Sequence, residues 1–272
     1  MAEIKKRKLG RTGLMVSELG FGAMNIPDVA EGEETLHRAL ALGINFIDTA
    51  RVYKGSEYLV GNVIEKRKRN SFIIATKTTS RIRDGVLNDI EKSLRNLRIS
   101  SIDLYQLHDV SPADWERVTS EDGALGGLRE ARRQGLIHHI GLTSHTIEVL
   151  ERAIDSGEFE TIQLRYNPLE REARRVISLA KERDIGVIVM KPFGGLGMPA
   201  TLRGYETLLS PKVLLRYALT NPSISVAIPG VRFPWEVEEN VALARSYEPM
   251  TADEISRYND EADALHAKMA MR

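Results

Sequence analysis

Short runs of β-branched and aromatic residues alternate with amphipathic stretches along almost the whole chain. The apolar runs predict eight strands, at Leu19–Ala23, Asn45–Asp48, Phe72–Thr76, Ile102–Leu107, Ile140–Thr143, Thr161–Tyr166, Gly186–Met190 and Ser225–Ile228. The stretches that follow them predict helices at Glu33–Ala41, Ser56–Lys68, Asp84–Arg98, Leu125–Gln134, Ile147–Ser156, Glu170–Arg183, Pro211–Thr220 and Trp235–Arg245. Alternating strands and helices are typical of an α/β fold with a parallel sheet.

Eight βα units favour a (β/α)8 TIM barrel over a doubly wound sheet, which typically has fewer strands and a glycine-rich first turn. The first turn here reads GFGAMN and lacks the GxGxxG pattern. We also predict an N-terminal β-hairpin from Lys5–Leu9 and Met15–Leu19, and an extra C-terminal helix at Ala252–Lys268. No linker or repeat divides residues 1–272, so a single barrel domain is expected.

Residues with a preference for helix ends agree with this pattern. Gly43, Gly135 and Gly186 follow or nearly follow predicted helices, as C-terminal caps do. Asp84 and Thr146 are predicted N-caps.

Composition narrows the classes of partner. Lys and Arg (38) balance Asp and Glu (38), so no net charge favours nucleic acid or an acidic membrane. The chain has no cysteine, which excludes disulfides and thiol nucleophiles. The charged N-terminus has no apolar run behind it, and no stretch of about 18 apolar residues occurs. We expect a soluble, cytoplasmic protein whose partner is a small molecule.

Polar residues at strand ends carry the candidate chemistry, because barrel enzymes place their active sites at the C-terminal ends of the strands. The second strand ends in Asp48, with Tyr53 in the following loop; the third ends in Lys77 and the fourth in His108. Each of these residues alone has an ordinary structural explanation, such as capping or packing. A lysine at the mouth of an apolar strand needs an anion, however, and Asp48 on the neighbouring strand provides one.

This set of residues resembles the aldo-keto reductases, which are nicotinamide-dependent carbonyl reductases built on this barrel. The resemblance covers nearly the whole chain, through LGRTGLMVSELGFGAM, GINFIDTARVY, ATKT, IDLYQLH, IGLTSH, IQLRYNPL and VAIPGVRFPWEVEENV in family order. It implies that Asp48, Tyr53, Lys77 and His108 form the catalytic tetrad. Tyr53 would donate the proton, Lys77 held by Asp48 would lower the pKa of the phenol, and a neutral His108 would orient the carbonyl.

The resemblance also implies where the cofactor lies. The nicotinamide end is expected at Asp48, at the first-turn residues Gly22, Ala23 and Met24, at Thr143, Ser144 and Gln163, and along Met190, Lys191, Pro192, Phe193 and Gly194. The adenosine end is expected at Gly230, Arg232, Glu239 and Asn240, with Arg232 facing the 2′-phosphate of NADPH. Thr143 and Ser144 have the alternative role of starting a helix, and Arg232 that of a solvated loop residue.

Two positions depart from better-known relatives. Met190 stands where many have an aromatic ring that stacks on nicotinamide, and a thioether still offers a soft apolar face. Gly230 and Glu236 stand where mammalian relatives have Lys and Arg at the phosphate site. The resemblance therefore favours NADPH, with NADH as the alternative.

The substrate is expected to be a small aldehyde or ketone that contacts Tyr53, His108 and Trp115, although Trp115 has the alternative role of anchoring its loop. A first alternative function is a cofactor-binding regulatory protein of the same fold with little turnover. A second is a metal-dependent hydrolase. The six histidines do not favour it, because His108 and His145 lack an adequate ligand set at the expected rim. Composition does not indicate an oligomeric state.

Overall fold

The computed structural model describes residues 3–26, 30–194 and 204–270. Its strands are β1 (Lys6–Lys8), β2 (Met15–Ser17), β3 (Phe21–Gly22), β4 (Phe46–Asp48), β5 (Ile73–Thr78), β6 (Ile102–Leu107), β7 (Ile137–Thr143), β8 (Thr161–Arg165), β9 (Gly186–Met190) and β10 (Val226–Ile228). Its helices are α1 (Ala30–Ala41), α2 (Ser56–Ile64), α3 (Arg83–Leu97), α4 (Trp115–Thr119), α5 (Ala124–Arg133), α6 (Ile147–Ser156), α7 (Arg174–Glu182), α8 (Pro211–Thr220), α9 (Pro234–Ser246) and α10 (Ala252–Ala270).

Strands β3 to β10 form one eight-stranded sheet in chain order, and each pair of neighbours is parallel. Parallel bridges from Leu19 to Ala227 and from Gly22 to Gly230 join the first edge to the last. The sheet is therefore closed, and the predicted (β/α)8 barrel is confirmed.

Alternate residues of each strand face the barrel interior, as the two-residue period of a strand requires. The lower interior is apolar and contains Phe46, Ile73, Leu104, Ile188 and Val226. Residues two positions further along these strands point the same way, nearer the C-terminal end. The chain therefore places its polar strand-end residues above a packed apolar floor.

The hairpin β1–β2 closes the N-terminal end of the barrel, with Lys6 paired to Ser17. Leu9 and Val16 are fully buried in the same cluster as the barrel interior. Gly10 has a φ of 51°, and a Cβ there would collide with the backbone of Gly186. The predicted hairpin thus plugs the N-terminal end of the barrel interior.

Two predicted helices are shorter in the structure. The second ends at Ile64 rather than Lys68, because residues 65–70 are charged or polar and offer no apolar face to bury. The one predicted from Glu170 begins at Arg174. Here Asn167 Oδ1 accepts hydrogen bonds from the backbone N–H of Leu169 and Glu170, and this turn competes with the first helical turn.

Some predicted caps are also corrected. Gly43 (φ 98°) and Gly135 (φ 74°) adopt the left-handed conformation after their helices, as expected. Gly186 instead lies within β9, and Asp184 (φ 51°) takes the left-handed position after α7. Asp84 lies in the first turn of α3, where Ile82 occupies the N-cap position.

The prediction that Thr146 is an N-cap is correct for its position but not for its side chain. Thr146 occupies the N-cap of α6, but its side chain makes no capping hydrogen bond. The predicted C-terminal helix is confirmed as α10 and begins at Ala252 as predicted.

Candidate active site

Adjacent strands bring Asp48 and Lys77 together inside the open end of the barrel. In the parallel register Asp48 pairs with Ala75, so Lys77 lies two residues further along β5 on the same inward face. The Lys77 ammonium donates to Asp48 Oδ1 over 2.6 Å and to the Thr49 carbonyl oxygen over 2.8 Å. The two side chains form a buried ion pair.

Burial and pairing act in opposite directions on this pair. Desolvation raises the pKa of the Asp48 carboxyl, and the Lys77 charge opposes that shift. Desolvation lowers the pKa of the Lys77 ammonium, and Asp48 opposes it. Asp48 Oδ2 is buried without a hydrogen-bond partner within the described ranges, and Asp48 lines a cavity. One carboxylate oxygen therefore remains open to a donor on a ligand.

Tyr53 and His108 meet this ion pair from the flanking loops. Lys77 Nζ lies 5.4 Å from the centroid of the Tyr53 ring. The Tyr53 and His108 rings meet edge to face, with centroids 5.7 Å apart and an interplanar angle of 83°. All four residues of the expected tetrad thus gather at the C-terminal end of the barrel.

The pKa of the Tyr53 phenol is raised, which is the opposite of the lowering predicted from the sequence. Burial raises it, and the charges of Asp48 and Asp109 raise it further. The resemblance at the sequence level predicts instead that the Lys77 charge lowers this pKa. Burial and the two carboxylates all act in the same direction, so the phenol retains its proton at neutral pH.

The His108 imidazole is neutral, as expected. Burial lowers its pKa to about 3, and the charges of Lys77 and Arg81 contribute. Its backbone N–H donates to the Thr78 carbonyl oxygen over 2.8 Å, which fixes the strand end. Its ring atom Nδ1 is buried with no hydrogen-bond partner among the residues the structure describes.

A cavity of about 400 Å³ opens beside these residues. Its size falls in the usual range for small-molecule sites, about 300–1,000 Å³. Its wall includes Asp48 and Tyr53 together with most of the residues expected at the cofactor. Those are Gly22, Met24, Gln163, Met190, Lys191, Pro192, Phe193, Gly194, Gly230 and Arg232.

An amide pair lies beside this cavity, whose wall includes Gln163. Gln106 Nε2 donates to Gln163 Oε1 over 2.9 Å, and both side chains are buried. The Gln163 amide also favours the charged form of the Asp48 carboxyl. This fixed amide, together with the unpartnered oxygen of Asp48, fits the donor and acceptor needs of a carboxamide such as that of nicotinamide.

Several other predicted residues are engaged by the protein itself. Thr143 Oγ1 accepts from the Asp109 backbone N–H over 2.7 Å. Ser144 Oγ donates to the Val110 carbonyl oxygen over 2.7 Å and accepts from the Thr146 backbone N–H. Neither hydroxyl caps α6, whose N-cap is Thr146, so the alternative of starting a helix is not what these contacts show; they tie the loops after β6 and β7 together. Ala23 is fully buried.

The remaining predicted contacts lie outside the described wall of this cavity. Trp115 is buried, packs on Phe159 with ring centroids 6.4 Å apart, and has the Arg152 guanidinium over its ring. It therefore anchors its loop to the outside of the barrel. Glu239 is exposed and Asn240 is buried on α9.

Sequence reasoning missed three residues near the site. Asn25 and Ile228 line the cavity, and Gln106 holds Gln163. A signal for Gln106 was present, because it is an amide inside an apolar strand two residues before His108 and so shares its face. Asn25 lies in a turn with no comparable pattern.

The described residues also bear on two other classes of function, metal-dependent enzymes and membrane proteins. They contain no group of three or more His, Cys, Asp or Glu side chains arranged to hold a metal ion. None of the helices in the described ranges is long and apolar enough to cross a membrane.

A closed barrel with an Asp, Tyr, Lys and His cluster at its C-terminal end is the arrangement that the resemblance to the aldo-keto reductases implies. The model of the Aldo/keto reductase family matches residues 18–207. The chain belongs to the aldo/keto reductase family.

Individual relatives agree with this assignment over most of the chain. L-galactose dehydrogenase from Arabidopsis thaliana is 28% identical, with 93% of this chain and 92% of that protein covered. An uncharacterized oxidoreductase from Bacillus subtilis is 30% identical over 70% of this chain and 65% of that protein.

Solved structures show the same fold. An aldo-keto reductase from Bacillus halodurans in its holo form superposes with a TM-score of 0.83, at 26% identity and 96% coverage of both chains. A thermostable aldo-keto reductase in complex with the inhibitor epalrestat gives a TM-score of 0.79 at 25% identity, with 94% of this chain and 98% of that chain covered.

Proposed function

We propose that this chain is a nicotinamide-dependent oxidoreductase that reduces aldehydes or ketones to alcohols. The observation that carries the proposal is the convergence of the Lys77–Asp48 ion pair, Tyr53 and His108 beside one cavity. Membership of the aldo/keto reductase family supports it. The substrate class is a small-molecule carbonyl compound.

The coenzyme would lie along the cavity wall. Gln163 and Asp48 would bind the carboxamide of the nicotinamide ring, and Met190 would pack against the ring. The backbone from Lys191 to Gly194 and the loop at Gly230 would follow the rest of the dinucleotide. When bound, the reduced nicotinamide supplies the hydride that adds to the carbonyl carbon.

Tyr53 would donate the proton that the carbonyl oxygen needs. The raised pKa of its phenol keeps that proton in place until negative charge develops on the substrate oxygen. An alkoxide is a base about as strong as hydroxide, so even a buried phenol is a stronger acid than the alcohol that forms. The Lys77 ammonium then stabilises the phenolate that remains.

His108 would orient the substrate rather than transfer the proton. Because burial lowers its pKa to about 3, the ring is neutral at physiological pH and is a poor general acid. A neutral imidazole can still donate one hydrogen bond to the carbonyl oxygen and so direct it toward Tyr53.

The test is to follow the absorbance of the reduced coenzyme while the protein is offered small aldehydes, dicarbonyls and aromatic ketones. Carbonyl-dependent oxidation of NADH or NADPH is the expected result. Coenzyme binding without turnover on any of these carbonyls would instead support the alternative, a cofactor-binding regulatory protein. Failure to bind either coenzyme would exclude both functions.

A further inference from the structure

The cavity wall ends at the loop that precedes α9. Gly230 and Arg232 line the cavity, and the helix begins two residues later at Pro234. A helix N-terminus attracts anions through its free backbone N–H groups and its dipole. Whether this one accepts a phosphate depends on what already occupies those N–H groups.

A carboxylate of the chain occupies two of the backbone N–H groups at this terminus. Glu236 Oε2 accepts from the backbone N–H of Arg232 over 2.5 Å and from that of Phe233 over 3.0 Å. Pro234 has no N–H to offer. The Glu236 N–H donates to the Phe233 carbonyl oxygen over 3.2 Å. The donors before the first turn of α9 are therefore already satisfied from within the protein.

This arrangement at the start of α9 fits NADH better than NADPH. NADPH differs from NADH by one phosphate on the adenosine ribose, and a phosphate monoester carries about −1.5 to −2 charge at neutral pH. Near Arg232 it would meet the Glu236 carboxylate and find the two N–H groups engaged. The exposed Arg232 guanidinium would attract this phosphate, but the same guanidinium can donate hydrogen bonds to the uncharged ribose hydroxyls of NADH.

We propose that Glu236 selects NADH over NADPH at this site. The inference rests on the proposed function, since it assumes that the adenosine end of the coenzyme lies at Arg232. It revises the sequence-based preference for NADPH. The physical reason is that the carboxylate both repels the phosphate and holds the backbone donors that the phosphate would need.

Glu236→Gln tests the charge while keeping the fold. The amide oxygen of glutamine can still accept from the two backbone N–H groups, so the start of α9 is retained. Glu238→Gln is the matched control. It removes one negative charge from the same helix, at a residue that is paired with Arg38 and lies outside the described cavity wall.

Equilibrium binding of NADH and NADPH, measured by quenching of tryptophan fluorescence, gives a readout that does not depend on turnover. Wild type should bind NADH more tightly than NADPH. Glu236→Gln should tighten NADPH binding about tenfold, which corresponds to about 1.4 kcal/mol, and leave NADH binding within about twofold. Glu238→Gln should change neither dissociation constant.

Two results would overturn this inference and leave the proposed function intact. One is tighter binding of NADPH than of NADH by wild type. The other is an unchanged ratio of the NADH and NADPH dissociation constants in Glu236→Gln. A wild-type protein that binds neither coenzyme would overturn the proposed function, and the inference with it.

Discussion

The Lys77 ammonium lies 2.6 Å from Asp48 Oδ1, and neither side chain is more than 3% exposed to solvent. A buried ion pair is costly to assemble, because both charges lose their hydration. Each charge is tolerated only because the other is present. Removing one partner therefore leaves an uncompensated buried charge, and the resulting loss of stability can be measured.

Removing one member of the pair should destabilise the fold strongly. We expect Lys77→Met or Asp48→Asn each to lower the free energy of unfolding by about 3–5 kcal/mol, since the remaining group is buried without its partner. The double variant should lose less than the sum of the two single losses. Urea denaturation checks this, and additive losses would contradict direct coupling of the two charges.

Glu57 is a second buried carboxylate close to the site. It accepts hydrogen bonds from Thr76 Oγ1 over 2.8 Å and Ser93 Oγ over 2.7 Å, and it pairs with Arg51. Glu57→Gln should cost about 2–4 kcal/mol of unfolding free energy, because the Arg51 charge loses its buried partner.

The matched control for Glu57 is Glu65→Gln, whose carboxylate pairs with Arg98 at the surface. Exposed pairs contribute about 0–1 kcal/mol, so this variant should stay close to wild type in urea. Equal losses in the two variants would show that burial of Glu57 is not the cause.

His108 should make stability depend on pH. Its pKa is about 3 in the folded chain, and that of a histidine in the unfolded chain is about 6.5. Between these values the unfolded state binds more protons, so acidification destabilises the fold. From pH 7 to pH 5, wild type should lose about 2 kcal/mol more than His108→Gln. Unfolding curves at both pH values decide this; parallel losses would mean that His108 titrates normally.

The hairpin plug should contribute to stability through Leu9. This side chain is fully buried against Gly186, where a Cβ would lie 2.7 Å from Leu9 Cδ1. Leu9→Ala should cost about 2–5 kcal/mol, as large-to-small changes in packed cores do. Met15→Ala on the same hairpin is the control, since Met15 is exposed and its truncation should change the unfolding midpoint little. Similar midpoints for the two variants would contradict a packed plug.

The barrel was predictable because its signals are periodic. Each apolar run needed burial on both faces and each helix needed one apolar face, and the count of eight units favoured a barrel over a doubly wound sheet. The short helix α4 was not predictable in this way, because it spans only Trp115–Thr119 and carries no repeat. Helix ends were missed where a side chain such as Asn167 competes for backbone N–H groups.

The site was predictable in position but not in electrostatics. Strand ends fixed where Asp48, Lys77 and His108 would meet, since parallel strands share one C-terminal end. The direction of the Tyr53 pKa depends on its burial and on Asp109, which no local pattern in the sequence reveals. The capping of α9 by Glu236 likewise depends on side-chain geometry.

In the proposed reaction Tyr53 supplies the proton to a carbonyl substrate. The most direct measurement compares Tyr53→Phe with wild type, following both coenzyme binding by fluorescence and carbonyl-dependent oxidation of the coenzyme by absorbance. We expect the variant to bind coenzyme within about twofold of wild type and to lose turnover by at least about 100-fold, the lower range for a general acid. Wild-type turnover in Tyr53→Phe would contradict it.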